Sequence, residues 1–542
     1  MSCSFGERLD ARPSALIPRA VLTVLLVCAP ESARAAILTV TDCGDTTPGG
    51  APGQLRRLIN DAAAGDTIAV PACTITLTGA AGEDANAGGD LDILKNLTIQ
   101  GAGPGTILNG NRQDRVLEVH AGVAADVSAL FVRNGASLGS GGGIANHGTL
   151  HLASVRILDN DGGVFNDGTL TLAASRLVIN NGYAIDNQGA LTLDGSTVTQ
   201  NDAGCCSGAI RNWGTLTVSE STISNNHLAD GSGAGIANFG TAIVVRSTIS
   251  GNHGGSAGGG IYNARTLTLL NSTVSGNFVT GLLAAGGGLY NTAAGDATLT
   301  SVTLTRNAAP DGSGIRNQGA LSARNTLIAD NACSGTVTSG GHNIDSGTSC
   351  GFSGPGDLSG TDPKLGFLAD NGGATWTHAL LAGSPAIDAG DDAACPATDQ
   401  RGVPRPQGPA CDIGSYELRP GAFFSLAPCR LADTRSAEGP ALAANAARIF
   451  AAAGRCAIPS DAVAAALIVT TVQQTDFGDL RLYPAGGDVP SASAINFATN
   501  HVRANNAIIR LGVGGQIGVQ CDMSPGSTGT THLIMDVYGY FK

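Results

Sequence analysis

The chain has 542 residues, a formal net charge of -13, 78 Gly, and only 13% charged residues. Charge is about half its usual ~25% share and Gly about twice its usual ~7%, yet there is no Gly-X-Y period, which excludes collagen, and alternating apolar runs exclude a disordered acidic chain. Lys occurs only at Lys95, Lys364 and Lys542, so no basic patch marks nucleic acid as a partner.

Residues 1–35 read as a secretory signal peptide. Arg8, Arg12 and Arg19 precede the apolar run AVLTVLLVCA, and ARA at 33–35 fits the small-x-small cleavage rule. The run is too short to cross a bilayer as a helix, and Val27 is a poor residue before a lipidated Cys28. No later stretch reads as a membrane span. Export permits disulfides, and the Cys spacing suggests local pairs: Cys43–Cys73, Cys333–Cys350, Cys395–Cys411 and Cys429–Cys456. Cys205 and Cys206 stand side by side and Cys521 is left over; spacing alone leaves the connectivity open.

Residues 36–95 are expected to form an N-terminal cap. In GQLRRLINDAAAGD (53–66), Leu55, Leu58, Ile59 and Ala62 share one helical face. Such a helix would plug the open end of a stack of repeats.

Residues 96–345 repeat. A first Asn closes the motif GxIxN at Asn146, Asn166, Asn187, Asn212, Asn238, Asn263, Asn291 and Asn317. A second follows fourteen residues later at Asn160, Asn180, Asn201, Asn226, Asn252, Asn277 and Asn331, with Asn307 sixteen after Asn291 as the exception. An aliphatic residue stands two before the first Asn and three before the second, and runs such as TLTL alternate between them. Period-two alternation with β-branched residues predicts three short strands per unit. One unit cannot bury its own inner face, but stacked units can, each strand pairing in parallel with its equivalent ~4.8 Å away. The fold predicted is all-β: a right-handed parallel β-helix with Asn at the corners, where left-handed backbone angles and stacked amides suit it. A propeller would need four longer strands per unit.

Residues 346–419 break the period and are expected to cap the β-helix. Residues 421–542 carry many short strand-like runs broken by Gly and Pro, predicting a separate β-sandwich.

The segments GQLRRLINDAAAGDTIAV, GDLDI, LTIQGAG, DRVLEV and the GGGIYN units resemble bacterial exported β-helix proteins of the CSLREA-domain type. SPAIDAG, DQRG and DIGSYE resemble the choice-of-anchor Q domain that closes many of them, although the CSLREA motif itself is missing. In the tail, CRLADTR, NFATNHVRANNAII and DVYGYF are similar to a domain appended to secreted bacterial proteins. The resemblance implies a secreted or surface β-helix and no settled activity. It suggests an attachment role for the tail.

Chemistry is sparse. A glycosidase needs two carboxylates across the sugar bond, and a lyase on this fold needs acidic calcium ligands with a base beside them. Asp159, Asp161 and Asp167, on the first two turns, are the catalytic candidates if the chain is an enzyme; no Lys joins them, and they read first as solvated corner residues. Asp202, His227 and His253 follow the second Asn on consecutive turns and form a candidate metal column near Cys205 and Cys206. Insertions gather between the second Asn and the next GxIxN, so loops leave one edge of the solenoid. The longest, FVTGLLAAGGG, offers Phe278, Val279, Leu282 and Leu283 as a binding site, or as a flap over its own core. The expected function is non-catalytic binding to a glycan or an envelope or host partner, with no cofactor. The alternative is a polysaccharide lyase or glycoside hydrolase.

Overall fold

The computed structural model describes residues 35–82, 84–136, 141–419, 421–436 and 438–542; residues 1–34 of the expected signal peptide lie outside them. The repeat winds into a right-handed parallel β-helix with three sheets, of 13, 11 and 13 strands. Sheet I holds strands such as Thr149–Ala153, sheet II strands such as Ile144–Asn146, and sheet III strands such as Arg156–Leu158. Register keeps the motif in line: Ile144 opposes Val164, and Asn146 opposes Asn166.

The interior is built from the expected residues. Ile144, Val164, Ile185, Ile210, Ile236, Ile261, Leu289 and Ile315 from sheet II meet Ile157, Leu177, Val198, Ile223, Ile249, Val274, Leu304 and Ile328 from sheet III, each 1% exposed or less. The residue before each of the first set is Gly or Ala because successive turns approach closely there. A Cβ on Gly235 would lie 2.5 Å from the carbonyl oxygen of Gly260, on the next turn.

Both Asn columns form buried ladders. Asn166 Nδ2 donates to Asn187 Oδ1 at 2.6 Å, and Asn226 Nδ2 to Asn252 Oδ1 at 2.9 Å. The same Asn252 oxygen accepts from the Asn226 backbone N–H at 3.1 Å, while Asn226 Nδ2 also donates to the Val198 carbonyl at 3.0 Å. Each amide thus satisfies backbone groups that the corner would otherwise orphan. The left-handed angle expected at the second Asn falls instead on the residue before it, as at Ile179, Gln200 and Asn225. That residue's side chain points outward, so its identity is free, whereas the inward position needs the amide. A third ladder runs at the corner between sheets I and III, where the Ser175, Ser196 and Ser221 N–H groups each donate to the next Ser hydroxyl at 2.9–3.1 Å.

The helix Leu55–Asp61 closes the first turns, with Leu55, Ile59 and Ala62 in the main core. Its Arg56 is buried as well. It pairs with Asp45 at 2.8 Å and donates to the carbonyls of Gly88, Gly89 and Asp90. The cap helix therefore shapes the loop leading into the first strand of sheet II. Gly89 in that loop has φ +63°, and a Cβ there would meet Asp114 and Ala80 at 2.6 and 2.7 Å.

At the other end, the segment expected to cap the β-helix reaches back along the flank of sheet III. Where it lies, outward Thr and Ser give way to Leu327, Ala329 and Ile344, which pack with Leu380, Ala386 and Ile413. Farther back it is held by hydroxyls: Thr273 Oγ1 donates to Gln400 Oε1 at 2.7 Å, and the Ser415 N–H to Thr303 Oγ1 at 3.0 Å. The tail forms two antiparallel sheets around its own core, which includes Leu467, Leu480, Val519 and Met535. Among the described residues, disulfides join Cys43 to Cys73, Cys333 to Cys350, Cys395 to Cys411 and Cys429 to Cys456. Cys521 is a buried thiol, its pKa pushed up to about 12, first by burial and then by Asp522 and Asp479. The side chains of Cys205 and Cys206 lie outside the described residues. No helix among the described residues is long and apolar enough to cross a membrane.

Candidate functional site

In a strand of pattern I-x-N the outer two side chains point inward, so the middle one faces out. Sheet II therefore carries an outward file in backbone register, which the repeat motif does not advertise. It opens with Asp92 opposite Glu118, continues through Phe165, Asp186 and Arg211 to Tyr262 opposite Tyr290, and runs on through Arg316 to Ser334. A second file, one residue after the corner Asn, adds His147, Asp167, Trp213 and Phe239.

The first turns gather carboxylates and imidazoles. Asp92 is fully buried; its Oδ2 accepts from the Asn86 N–H at 2.9 Å, and its Oδ1 lies 3.0 Å from His120 Nε2. His147 stands between two acids, with Nδ1 2.8 Å from Asp167 Oδ1 and Nε2 3.4 Å from Glu118. Arg115 joins Glu118 and approaches Asp90 at 3.4 Å. Oxygens of Asp90, Asp92 and Glu118 lie within 4.8 Å of one another, close enough for a cation, although the Arg115 guanidinium already supplies positive charge there. Burial, then Asp92 and Asp114, raises the Asp90 pKa to about 7. Near neutral pH this carboxyl can give or take a proton. A recess of about 320 Å³ adjoins His147 on the side toward sheet I.

The middle turns carry a cation–π contact, with the Arg211 guanidinium 4.0 Å from the Tyr183 ring and its Nε 2.8 Å from the Asp186 carboxylate. Beyond it runs an aromatic line. Trp213 stacks on Phe239 at 4.4 Å, Phe239 meets Tyr262 at 5.8 Å, and Tyr262 stacks on Tyr290 at 5.5 Å. Trp213 is 54% exposed. One face thus combines acids and imidazoles at one end with aromatic surface at the other.

Of the catalytic candidates, only Asp167 belongs to this face. Asp159 and Asp161 both pair with Arg112, at 2.8 and 3.1 Å, on the opposite edge of sheet II. The three do not converge, because sheet II separates the corner after Asn160 from the corner after Asn166. The metal candidates do form a column: Asp202 bridges His227, which bridges His253. His227 Nδ1 lies 3.2 Å from Asp202 Oδ1, but His253 turns its ring onto Phe278, stacked at 4.2 Å. Burial first and His227 second lower the His253 pKa.

The long loop divides. Val279 is buried and Phe278 is half-buried on His253, while Leu282 and Leu283 stand 99% and 97% exposed at the tip. Leu282→Ser with Leu283→Ser should change stability by less than about 0.5 kcal/mol in a denaturant titration, whereas Val279→Ser should cost about 1–3 kcal/mol. A large loss from the tip pair would place those side chains in the core.

No protein-family model and no curated protein matches the chain. Among solved structures it is similar to pectate lyase Pel9A, at 15% identity and a TM-score of 0.34, covering 71% of this chain and 96% of that one. It is also similar to the Dettilon tailspike protein, at 11% identity and a TM-score of 0.28, covering 93% and 94%. A third is the enzymatically active domain of bacteriophage CBA120 tailspike protein 4, at 12% identity and a TM-score of 0.20, covering 88% and 64%. These distant likenesses assign no residue of the site.

Proposed function

We propose that this is an exported, non-catalytic β-helix protein that binds an extended glycan along the outer face of sheet II. The observation that carries the reading is the line Trp213, Phe239, Tyr262 and Tyr290, held on successive turns in fixed register. Two turns advance ~10 Å, on the order of a disaccharide repeat. Aromatic surface takes the apolar C–H patches of sugar rings, while the Tyr262 and Tyr290 phenols offer polar groups to hydroxyls. The signal-like N-terminus, the disulfides and the resemblance to exported β-helix proteins support secretion or surface display, with the tail as an attachment module. A second reading, glycan cleavage, is favoured by Glu118 beside His147 and by Asp90 close to Glu118, at one end of the same face.

Retention on a panel of immobilised neutral and acidic polysaccharides tests both. Trp213→Ala and Tyr262→Ala should each weaken retention about tenfold, the equivalent of ~1.4 kcal/mol, without shifting the melting temperature. Unchanged retention would remove the sheet II reading. New reducing ends or unsaturated products, lost in Asp90→Asn or Glu118→Gln, would show the protein to be an enzyme.

A further inference from the structure

The closing segment leaves a recess of about 450 Å³ against sheet III, far from the outer face of sheet II and independent of its function. Its size falls within the range of small-ligand sites. The floor is a patch of hydroxyls, with Thr222 opposite Thr248, and Ser224, Ser250 and Ser275 in line on three turns. The wall is Trp376, Leu368 and His378 from the hairpin Leu365–Ala369 and Thr377–Leu380, and Arg306 stands at the rim.

Each part is held from behind. The Trp376 carbonyl accepts from Thr248 Oγ1 at 2.6 Å and from Gln400 Nε2 at 3.2 Å. His378 is buried, and burial is the main cause lowering its pKa, so the ring is neutral at pH 7. Its Nδ1 lies 2.8 Å from the Gly366 carbonyl and therefore carries the proton, leaving Nε2 to accept from the Ser275 hydroxyl at 2.9 Å. That fixes the Ser275 hydroxyl, itself only 3% exposed, and leaves the half-buried Thr222 and Ser250 as the open part of the floor. Trp376 nevertheless remains 55% exposed. Arg306 lies 4.6 Å from the exposed Phe367 ring, with its ion-pair partner Asp330 distant at 3.9 Å and largely solvated.

We propose that this recess binds an acidic sugar, a hexuronate unit, with its ring against Trp376, its hydroxyls on the Ser and Thr floor and its carboxylate on Arg306. Charge makes the choice. In a chain of net charge -13, Arg306 is, among the described residues, the one formally charged side chain lining the recess once His378 is neutral. A planar guanidinium takes a carboxylate through two parallel hydrogen bonds, and a rigid aromatic wall takes the sugar's C–H face.

The chain has two Trp, so Trp213→Phe leaves Trp376 as the sole reporter. In that background, sodium glucuronate should change Trp376 emission saturably, against sodium chloride at matched ionic strength. Glucose should bind about tenfold more weakly or worse, and Arg306→Gln should weaken glucuronate by the same factor while melting like its parent. Ser250→Leu, which fills the floor, should abolish the response. No saturable response to glucuronate, equal binding of glucose, or full binding by either variant overturns the proposal. Because polysaccharide retention by sheet II is measured on the chain with Trp213 and Arg306 intact, failure of one site is distinguishable from failure of the other.

Discussion

Ile249→Asp is expected to cost roughly 4 kcal/mol or more, enough to open the turns on either side of it. Ile249 lies in sheet III with no exposed surface, paired with Ile223 on one side and Val274 on the other. A carboxylate there would have aliphatic neighbours on both adjacent turns and no access to water. The conservative change Ile249→Val should cost only about 1 kcal/mol, the loss of one methylene. A solenoid loses cooperativity along its length, so hydrogen exchange resolved by residue is the better reading than a single melting point. Protection should fall first in the turns around Ser224, Ser250 and Ser275. If Ile249→Asp retains the parent's protection there, the side chain points outward and the register is wrong.

Asp90→Asn is expected to flatten the pH dependence of stability in the first turns. Asp90 has a folded pKa of about 7, against an ordinary value of 3.8. Between those values the folded state holds a proton that the unfolded chain has released. The stabilisation is therefore complete below about pH 4 and is lost as pH rises through about 7, each tenfold difference in proton affinity between the two states being worth about 1.4 kcal/mol. Asp412, in the closing segment, is raised to about 7 as well, by burial first and Glu417 second, and its contribution is lost over the same window. Carboxylates held low, such as Asp433 beside Arg435 and Glu438 beside Arg455, contribute above their unfolded values and matter only at more acidic pH. Protection around Asp92 and Glu118 should thus decline from about pH 4 to about pH 7 and level off above it in the parent, and change much less in Asp90→Asn. An equal slope in both proteins would show that Asp90 ionises normally.

The repeat was legible because one physical constraint acts on every turn. Each turn must bury the same inward positions and satisfy the same corner backbone groups, so Ile or Leu and Asn recur at fixed spacing. The outward positions carry no such constraint. Between Ile and Asn the sequence shows Ala145, Phe165, Asp186, Arg211, Ala237 and Tyr262, which looks like noise when read along the chain. Read down the stack, Phe165, Arg211 and Tyr262 form a surface over the buried Ala145, Asp186 and Ala237. The signal that would have found it was available: the middle residue of every I-x-N strand must face outward. The Asp and His after the second Asn point instead to the loop edge, where Asp159 and Asp161 are taken up by Arg112 and His253 by Phe278.

By itself the sequence determined the period, the three-strand turn, the inward residues, both Asn columns and the change of pattern near residue 420, because these come from local alternation and from burial repeated in every copy. Tertiary structure alone decided which outward side chains become neighbours. Glu118 and His147 are 29 residues apart along the chain yet 3.4 Å apart in space, and Trp376 meets Thr248 across 128 residues. The first contact arises because parallel winding returns the chain to one face every turn, and the second because the closing segment, finding Leu327, Ala329 and Ile344 on the flank of sheet III, buries its apolar side there.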